Sequence, residues 1–321
     1  MVESSDVRTV VGGRLLTLTN LDKVLYPQVG YTKAEVIHYY LQVAPVLLPH
    51  VSDRPMTRLR FPDGVGDGAF SFYEKNAPQG CPDWVRTQPV RVSDGIVDYV
   101  VADESATIVW LANLAALEMH VPQWRISTAT ADADGAITLP EELPRPGEPL
   151  ADLVVVDLDP GDGVTMIETA RAALLVAHEL AADGLVPCVK TSGSKGLQVY
   201  AAIQPSRSAE VSGYVQTVGR TLVRRHPDLF VVTMAIAARA GRVFVDFSQN
   251  HAAKNTIAAY SLRGRATPSV ATPVTWDEIG GVSGPDDLRF SPQAVLDRIA
   301  EHGDLMAELL EPDRPPLPQR E

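Results

Sequence analysis

Cysteine is nearly absent from this sequence, with two in 321 residues, Cys81 and Cys188. They are too few and too far apart for a disulfide framework and match no zinc-ligand spacing, so a reducing cytosol is the expected setting. Long apolar runs are missing too. None approaches the roughly 18 uncharged residues that cross a bilayer, and Met1-Val-Glu-Ser-Ser-Asp6 lacks the basic and apolar stretches of a secretory signal. A cytoplasmic protein with no membrane partner is expected. Basic residues are in deficit, 28 Lys and Arg against 40 Asp and Glu, for a net charge of −12. That balance argues against a surface broadly coated in positive charge. It leaves open a local basic patch, which is all that phosphate contacts require.

What is present is a globular composition, 45% hydrophobic, with mean hydropathy near zero. The length is about twice a typical domain, so one large α/β unit or two lobes sharing a core is expected. The most informative stretch is Ala151-Asp-Leu-Val-Val-Val-Asp-Leu-Asp-Pro160. Leu153 to Val156 suit a strand buried on both faces. Asp157 and Asp159 follow, two residues apart, so both project to one face of that strand. Two close anions need neutralising, and oxygen ligands of this kind suit Mg²⁺ or Mn²⁺. A loop cap followed by an N-cap explains the same pair equally well. Val243 to Phe247 is a second apolar strand carrying a carboxylate, Asp246, which also needs a partner or a metal.

Around these strands the chain divides as follows. Thr17 to Tyr31 reads as turn and loop. Thr32 and Glu35 form a capping box opening a helix through Val36, Ile37, Tyr40, Val43 and Leu47, with Pro45 as a kink and Pro49 as its end. Lys23 before that helix and Lys33 in its first turn are either an anion site or two solvated lysines. Arg58 and Arg60 share a face of a strand leading into a Gly-rich loop and Phe70-Ser-Phe-Tyr-Glu-Lys75. That segment reads either as a stacking and phosphate surface or as an edge strand with a solvated face. Tyr99 to Val101 look like a strand. Ser105 caps an apolar helix through Leu117, with His120 near its end. Arg125 to Leu150 is a Pro-rich connector. Thr165 and Glu168 cap another helix that Gly184 stops. Leu185 to Lys190 and Leu197 to Ile203 are strands around Thr191-Ser-Gly-Ser-Lys-Gly196, an anion-binding loop or a polar hairpin turn, but not a Walker A loop. Residues 209 to 225 form a helix, Arg263 and Arg265 suit phosphate, and the Pro-rich end from Glu311 reads as a frayed tail.

These segments together resemble the polymerase domain of bacterial DNA ligase D, a branch of the archaeo-eukaryotic primase superfamily used in non-homologous end joining. The resemblance runs from about Leu18 to Leu310. It rests on Leu18-Thr-Asn-Leu-Asp-Lys23-Val-Leu-Tyr-Pro27, Trp110-Leu-Ala-Asn113, Glu118-Met-His-Val-Pro-Gln-Trp124, Asp157-Leu-Asp-Pro160, Thr191-Ser-Gly-Ser-Lys-Gly196, Val245-Asp-Phe-Ser-Gln-Asn250 and Tyr260-Ser-Leu-Arg-Gly-Arg265. The K-x-D-G nucleophile of ligases does not occur, so a stand-alone polymerase is expected. The resemblance implies an α/β primase-polymerase fold, with a central mixed or antiparallel sheet lobe bearing the aspartates packed against an N-terminal α/β lobe. A single domain over residues 1–310 would comprise an N-terminal lobe to about 125, a connector over about 126–150 and a catalytic lobe from about 151, followed by a flexible tail, 311–321.

It also implies roles. Asp157, Asp159 and Asp246 would be catalytic and hold two Mn²⁺ or Mg²⁺ ions. His120, Ser192, Lys195, Gln198, Gln249 and Arg263 match nucleotide-binding positions. Asn20, Lys23 and Lys33 match a pocket for a DNA 5′-phosphate, and Phe72 and Tyr73 an aromatic pair stacking on template bases. The implied activity is nucleotide addition, ribonucleotides by preference, to DNA 3′ ends and across short gaps in double-strand-break repair. The implied partners are gapped or broken DNA, nucleoside triphosphates, a separate DNA ligase and an end-binding protein, in a nucleoid-associated cytoplasmic setting. Three positions depart from the pattern: Leu59 and Ile236 stand where lysines are usual, and Gln198 where histidine is. Their loss would weaken triphosphate binding. The alternative is thus a catalytically weakened module that binds or bridges DNA ends, and a metal-dependent phosphohydrolase is a remoter third reading.

Overall fold

Residues 6–66, 68–140 and 145–320 are described by a computed structural model. Among the described residues two large mixed sheets, each with helices, organise the protein beside three two-stranded ones. The first has seven strands in the order Ile137–Thr138, Thr87–Val92, Gly95–Val101, Pro55–Arg60, Ala116–Val121, Thr256–Ile257, with Phe72–Glu74 also paired to Pro55–Arg60. The second has six, in the order Phe230–Val231, Val243–Asp246, Leu150–Pro160, Leu197–Arg207, Cys188–Thr191, Pro273–Val274. Antiparallel pairing dominates both.

Side-chain alternation along Leu150–Pro160 decides how the layers stack. Val154, Val156 and Leu158 face one way, into a core shared with the helices Met166–Ala182 and Ser208–Arg225. Val155 faces the other way, and with Cys188, Tyr200 and Ala202 it joins the core of the first sheet and the helices Lys33–Val51 and Ser105–Asn113. Asp157 and Asp159 share the parity of Val155. The same apolar pattern that seats the sheet on its helices therefore turns both carboxylates toward the first sheet.

Capping boxes form where expected, at Thr32/Glu35 and Thr165/Glu168, and Gly184 follows the second helix in a left-handed conformation, φ 84°. Other expectations need correction. The first helix runs through both Pro45 and Pro49 to Val51. Burial of Val43, Ala44, Leu47 and Val51 against the core offsets the two missing amide donors. Thr17–Tyr31 is not loop throughout, since short strands lie at Arg14–Leu18, Val24–Tyr26 and Tyr31–Thr32. The second helix is preceded by Glu104 rather than capped by Ser105 and stops at Asn113. Ala115 then takes φ +57° and starts a strand, so His120 lies in mid-strand and not at a helix end. Nor is Pro55–Arg60 an edge strand, because it pairs with three others. Arg58 and Arg60 both reach Glu74, at 3.3 and 2.7 Å, and are spent inside the sheet.

The expected frayed tail is laid along the second lobe. Gln204 N–H donates to Pro315 O at 2.8 Å, Arg320 bonds Glu179 and Asp183, and Leu317 packs on the helical core. Arg314 joins Arg54 and Arg125 around one buried carboxylate, Asp152, at 3.0, 2.6 and 2.9 Å. No helix among the described residues is long and apolar enough to cross a membrane.

Candidate active site

Cross-strand register builds a polar row over four adjacent strands of the second sheet. Lys190 lies opposite Gln198, Gln198 opposite Asp157, and Asp157 opposite Asp246. Asp159 projects beside Asp157, and one oxygen from each of the three aspartates lies within 4.8 Å of the others. Asp246 is aimed by three donors: Ser248 N–H at 3.0 Å, Ser248 Oγ at 2.6 Å and Gln249 Nε2 at 3.0 Å. Burial, and then repulsion from Asp159, push the Asp157 carboxyl up to about 7, against a hydrogen bond from Gln198 at 3.0 Å. Partial burial at the rim and the Asp246 charge push Asp159 up as well. Asp157 and Asp159, which resist ionising, make with Asp246 a set of hard oxygen donors suited to a divalent cation, so the residues fit the expected Mg²⁺ or Mn²⁺.

A cleft of about 460 Å³ opens in front of this row, lined by His120, Ser192, Lys195, Gln198, Gln249 and Arg263 as well as by Asp157 and Asp159. The nucleotide-binding candidates thus converge, although they come from both sheets. Their availability differs. The Thr191–Gly196 turn is the hairpin between Cys188–Thr191 and Leu197–Arg207. Its amides are largely spent on itself: Ser192 Oγ accepts from Ser194 and Gly196 N–H, and Thr191 Oγ1 from Gly193 N–H. Lys195, exposed at the tip, carries the charge. Gly193 and Gly196 are required for close approach, since a Cβ would lie 2.6 Å from Arg263 Cγ at the first and 2.7 Å from Leu158 O at the second.

Gln198 is only 4% exposed and is held at both ends of its amide. Its Nε2 donates to Asp157, while Oε1 accepts from Lys190 Nζ at 2.6 Å and Tyr200 OH at 3.2 Å. These contacts orient the Asp157 carboxylate and leave one Nε2 N–H at the cleft. Lys190 was missed in the sequence, where it reads as an ordinary strand end. Burial is the main cause that brings its ammonium down to about 7, with Asp157 opposing. Replacing Gln198 with leucine strands both neighbours. Incorporation is expected to fall about tenfold, the cost of unpairing a buried polar group; wild-type rates in Gln198→Leu would remove Gln198 from the site. Arg239 was also missed. It lines the cleft, stacks 3.7 Å over Phe244 and lowers the Asp159 carboxyl against the effect of burial.

Phe72 and Tyr73 are consecutive strand residues and face opposite ways. Tyr73 is edge-on to His120 at 6.3 Å and donates to Asn255, whereas Phe72 pairs with the exposed Phe70 at 4.6 Å. They do not make one stacking pair. Leu59 lies in register between Glu118 and Tyr73, and Ile236 is 83% exposed on a short helical turn.

A second cationic group lies at the first helix. Two motifs lock together there: Thr19 N–H donates to Asn113 Oδ1 and Asn113 Nδ2 to Thr17 O. The intervening turn places Asn20 at φ +52°, its carbonyl accepting from Lys23 N–H, and Lys33 N–H donates to Lys23 O at 2.8 Å. Lys23 Nζ meets Asp63 at 2.8 Å. Lys33 is buried, donating to Thr19 O at 2.6 Å, and burial followed by Lys23 and Arg60 brings its ammonium down to about 8.

Fold and centre together define an α/β protein whose three strand-borne carboxylates face a loop-borne lysine and an arginine across an open cleft, the layout of a metal-dependent phosphate-transfer centre. Comparison with known proteins agrees. The sequence model of the LigD primase-polymerase domain matches residues 32–306, and the chain belongs to that family, one of DNA nucleotidyltransferases. It is 42% identical over 293 residues to the multifunctional non-homologous end joining protein LigD of Mycolicibacterium smegmatis, covering 91% of this chain and 36% of that protein. It is 43% identical over 301 residues to the LigD DNA repair protein of Mycobacterium tuberculosis, covering 94% and 37%. The bifunctional LigD of Bacillus subtilis is 30% identical over 290 residues, covering 90% and 43%. The chain thus spans well under half the length of these relatives. The polymerase domain of Mycobacterium tuberculosis ligase D, solved in complex with DNA, superposes with a TM-score of 0.81 at 41% identity, covering 92% of this chain and 98% of that one.

Proposed function

We propose that this chain adds nucleotides, ribonucleotides by preference, to DNA 3′ ends and fills short gaps at 5′-phosphorylated ends during double-strand-break repair. The observation that carries the reading is the convergence of Asp157, Asp159 and Asp246 within 4.8 Å of one another, with the first two lining the cleft. Held by these carboxylates, two Mn²⁺ or Mg²⁺ ions would supply charge neutralisation at the α-phosphate and a more acidic 3′-hydroxyl. The rest is the work of this chain's side chains. Ser248 and Gln249 keep Asp246 from turning away, and Gln198 does the same for Asp157. Lys195, Arg263 and Ser192 grip the triphosphate, and Tyr73 braces the cleft-lining His120 edge-on. Gapped DNA and nucleoside triphosphates are the substrates, and a separate ligase and end-binding protein in the cytoplasm complete the repair.

Primer extension with Mn²⁺ and labelled ribonucleotides on a 5′-phosphorylated gap tests this. Incorporation supports transfer. Tight DNA binding without incorporation would instead favour the end-bridging module, and phosphate release without extension a phosphohydrolase.

Lys23, Lys33 and Asn20 are assigned to the 5′-phosphate. Lys23→Ala is expected to reduce the preference for a phosphorylated over an unphosphorylated gap about tenfold, with simple primer extension unchanged. Lys33 titrates near 8, and a bound phosphate favours its charged form. The preference should therefore fade as pH rises through about 8. Equal loss on both substrates, or a preference flat from pH 7 to 9, would contradict the assignment.

A further inference from the structure

Glu118 is a buried carboxylate that the three-aspartate centre does not use. It is 4% exposed in the strand Ala116–Val121, and its three contacts all lead to the cleft. Oε2 meets His120 Nε2 at 2.9 Å and Arg263 Nη1 at 3.2 Å, and Oε1 accepts the Gly264 N–H at 2.9 Å. Burial alone would raise this carboxyl, yet its partners hold it below the usual range. Glu118 is therefore an anion, and removing it would leave two cleft-lining groups without their anchor.

The consequence for each is different. Glu118 Oε2 at Nε2 selects the tautomer that carries its hydrogen there, in which Nδ1 is the acceptor. Among the described residues Nδ1 has no hydrogen-bond partner, and a ligand hydroxyl is the donor it suits. Arg263 is held from two sides, by Glu118 and by Gly193, where a Cβ would lie 2.6 Å from its Cγ. Its remaining donors keep a fixed placement toward phosphate oxygens.

We propose that Glu118 is a positioning residue for nucleotide selection, fixing His120 as a hydrogen-bond acceptor for a sugar hydroxyl and Arg263 as a phosphate clamp. The inference rests on the nucleotide-transfer reading and deepens it. It makes the preference for ribonucleotides a property of a residue behind the cleft wall. Sites that accept a hydrogen bond from a ligand hydroxyl discriminate against the ligand lacking it, because the acceptor is then left unpaired.

Equilibrium binding of a ribonucleoside triphosphate and its 2′-deoxy counterpart, with Mn²⁺ and 5′-phosphorylated gapped DNA, separates the outcomes. In Glu118→Gln the affinity for both should fall about tenfold as Arg263 loosens. The ratio of ribo to deoxy affinity should fall toward one, and Glu118→Asp should restore part of it. A lost contact that served folding alone would shift the melting temperature and leave the ratio unchanged. His120→Phe provides a second route if Glu118→Gln does not fold, and it too should collapse the ratio. A wild-type ratio in either folded variant overturns the proposal. Wild-type protein that binds neither nucleotide would sink the functional reading itself, whereas wild type that binds both sugars equally would sink only the role of Glu118.

Discussion

Replacing Asp159 with alanine is expected to cut metal-dependent incorporation about 10³-fold or more while raising the melting temperature of the metal-free protein. Both effects have one cause. The three aspartates crowd oxygens within 4.8 Å, and the carboxyls of Asp157 and Asp159 are pushed above their usual range by burial and then by a neighbouring carboxylate, Asp159 for the first and Asp246 for the second, Asp157 to about 7. A folded-state pKa above the unfolded one gives stability that is complete below the unfolded value, near 4, and is lost as pH rises through about 7. The metal-free protein should thus lose stability between about pH 4 and 7, and Mn²⁺ should return it at neutral pH by replacing the proton. Asp159→Ala removes one of the repelling charges together with a ligand, so the variant should start more stable and respond less to Mn²⁺. Thermal melts at pH 5 and 8, with and without Mn²⁺, and primer extension on the same samples measure both. An Mn²⁺-induced stabilisation in the variant equal to that of wild type would exclude Asp159 from the metal centre.

The second large effect is structural. Asp152→Ala should destabilise the protein by roughly 3–5 kcal/mol, the usual cost of stranding buried charge, a loss of roughly 4–7 °C in melting temperature for a chain of this size. Arg54 is 1% exposed, its Nε already lacks a partner, and Asp152 neutralises it together with Arg125 and Arg314. The three arginines come from the start of a first-sheet strand, from the connector and from the C-terminal segment. Their partners hold the Asp152 carboxyl below its ordinary range, so its contribution is present at neutral pH and lost as pH falls through the depressed folded value. Asp152→Leu combined with Arg54→Met should recover much of the loss, because the buried charges leave together. A melting temperature within a degree or two of wild type for Asp152→Ala would show that the arginines find other partners.

Local chemistry in this sequence is legible where it is complete within a few residues. The two capping boxes, the apolar strand of the paired aspartates and the hairpin at Thr191–Gly196 all form as their residues specify. Features that depend on distant partners were not legible. Lys190 looks like an ordinary strand residue until register sets it opposite Gln198, and Glu118 acquires meaning only when Arg263, far along the chain, arrives beside it. Pro49 stops a helix by local rules, yet packing of Val51 on the core overrides it. The tail has the composition of a frayed end, but its arginines find buried carboxylates. The resemblance assigns Phe72 and Tyr73 to one aromatic pair, whereas strand geometry turns neighbours apart and brings Phe70 to Phe72 instead.

The row from Lys190 through Gln198 and Asp157 to Asp246 takes one member from each of four strands, and Asp157 holds its place by the parity that also puts Val154, Val156 and Leu158 on the helices. Reading frame, in the geometric sense, is therefore a catalytic variable here. A single residue inserted before Val154 would leave the strand's composition untouched and present the same alternation of bulk. Yet it would drive two acidic groups toward the oily layer beneath and bring Val156 and Leu158 to the cleft. Such a lesion should behave as a folding defect and a dead enzyme at once, where a one-residue change in the exposed loops would do neither.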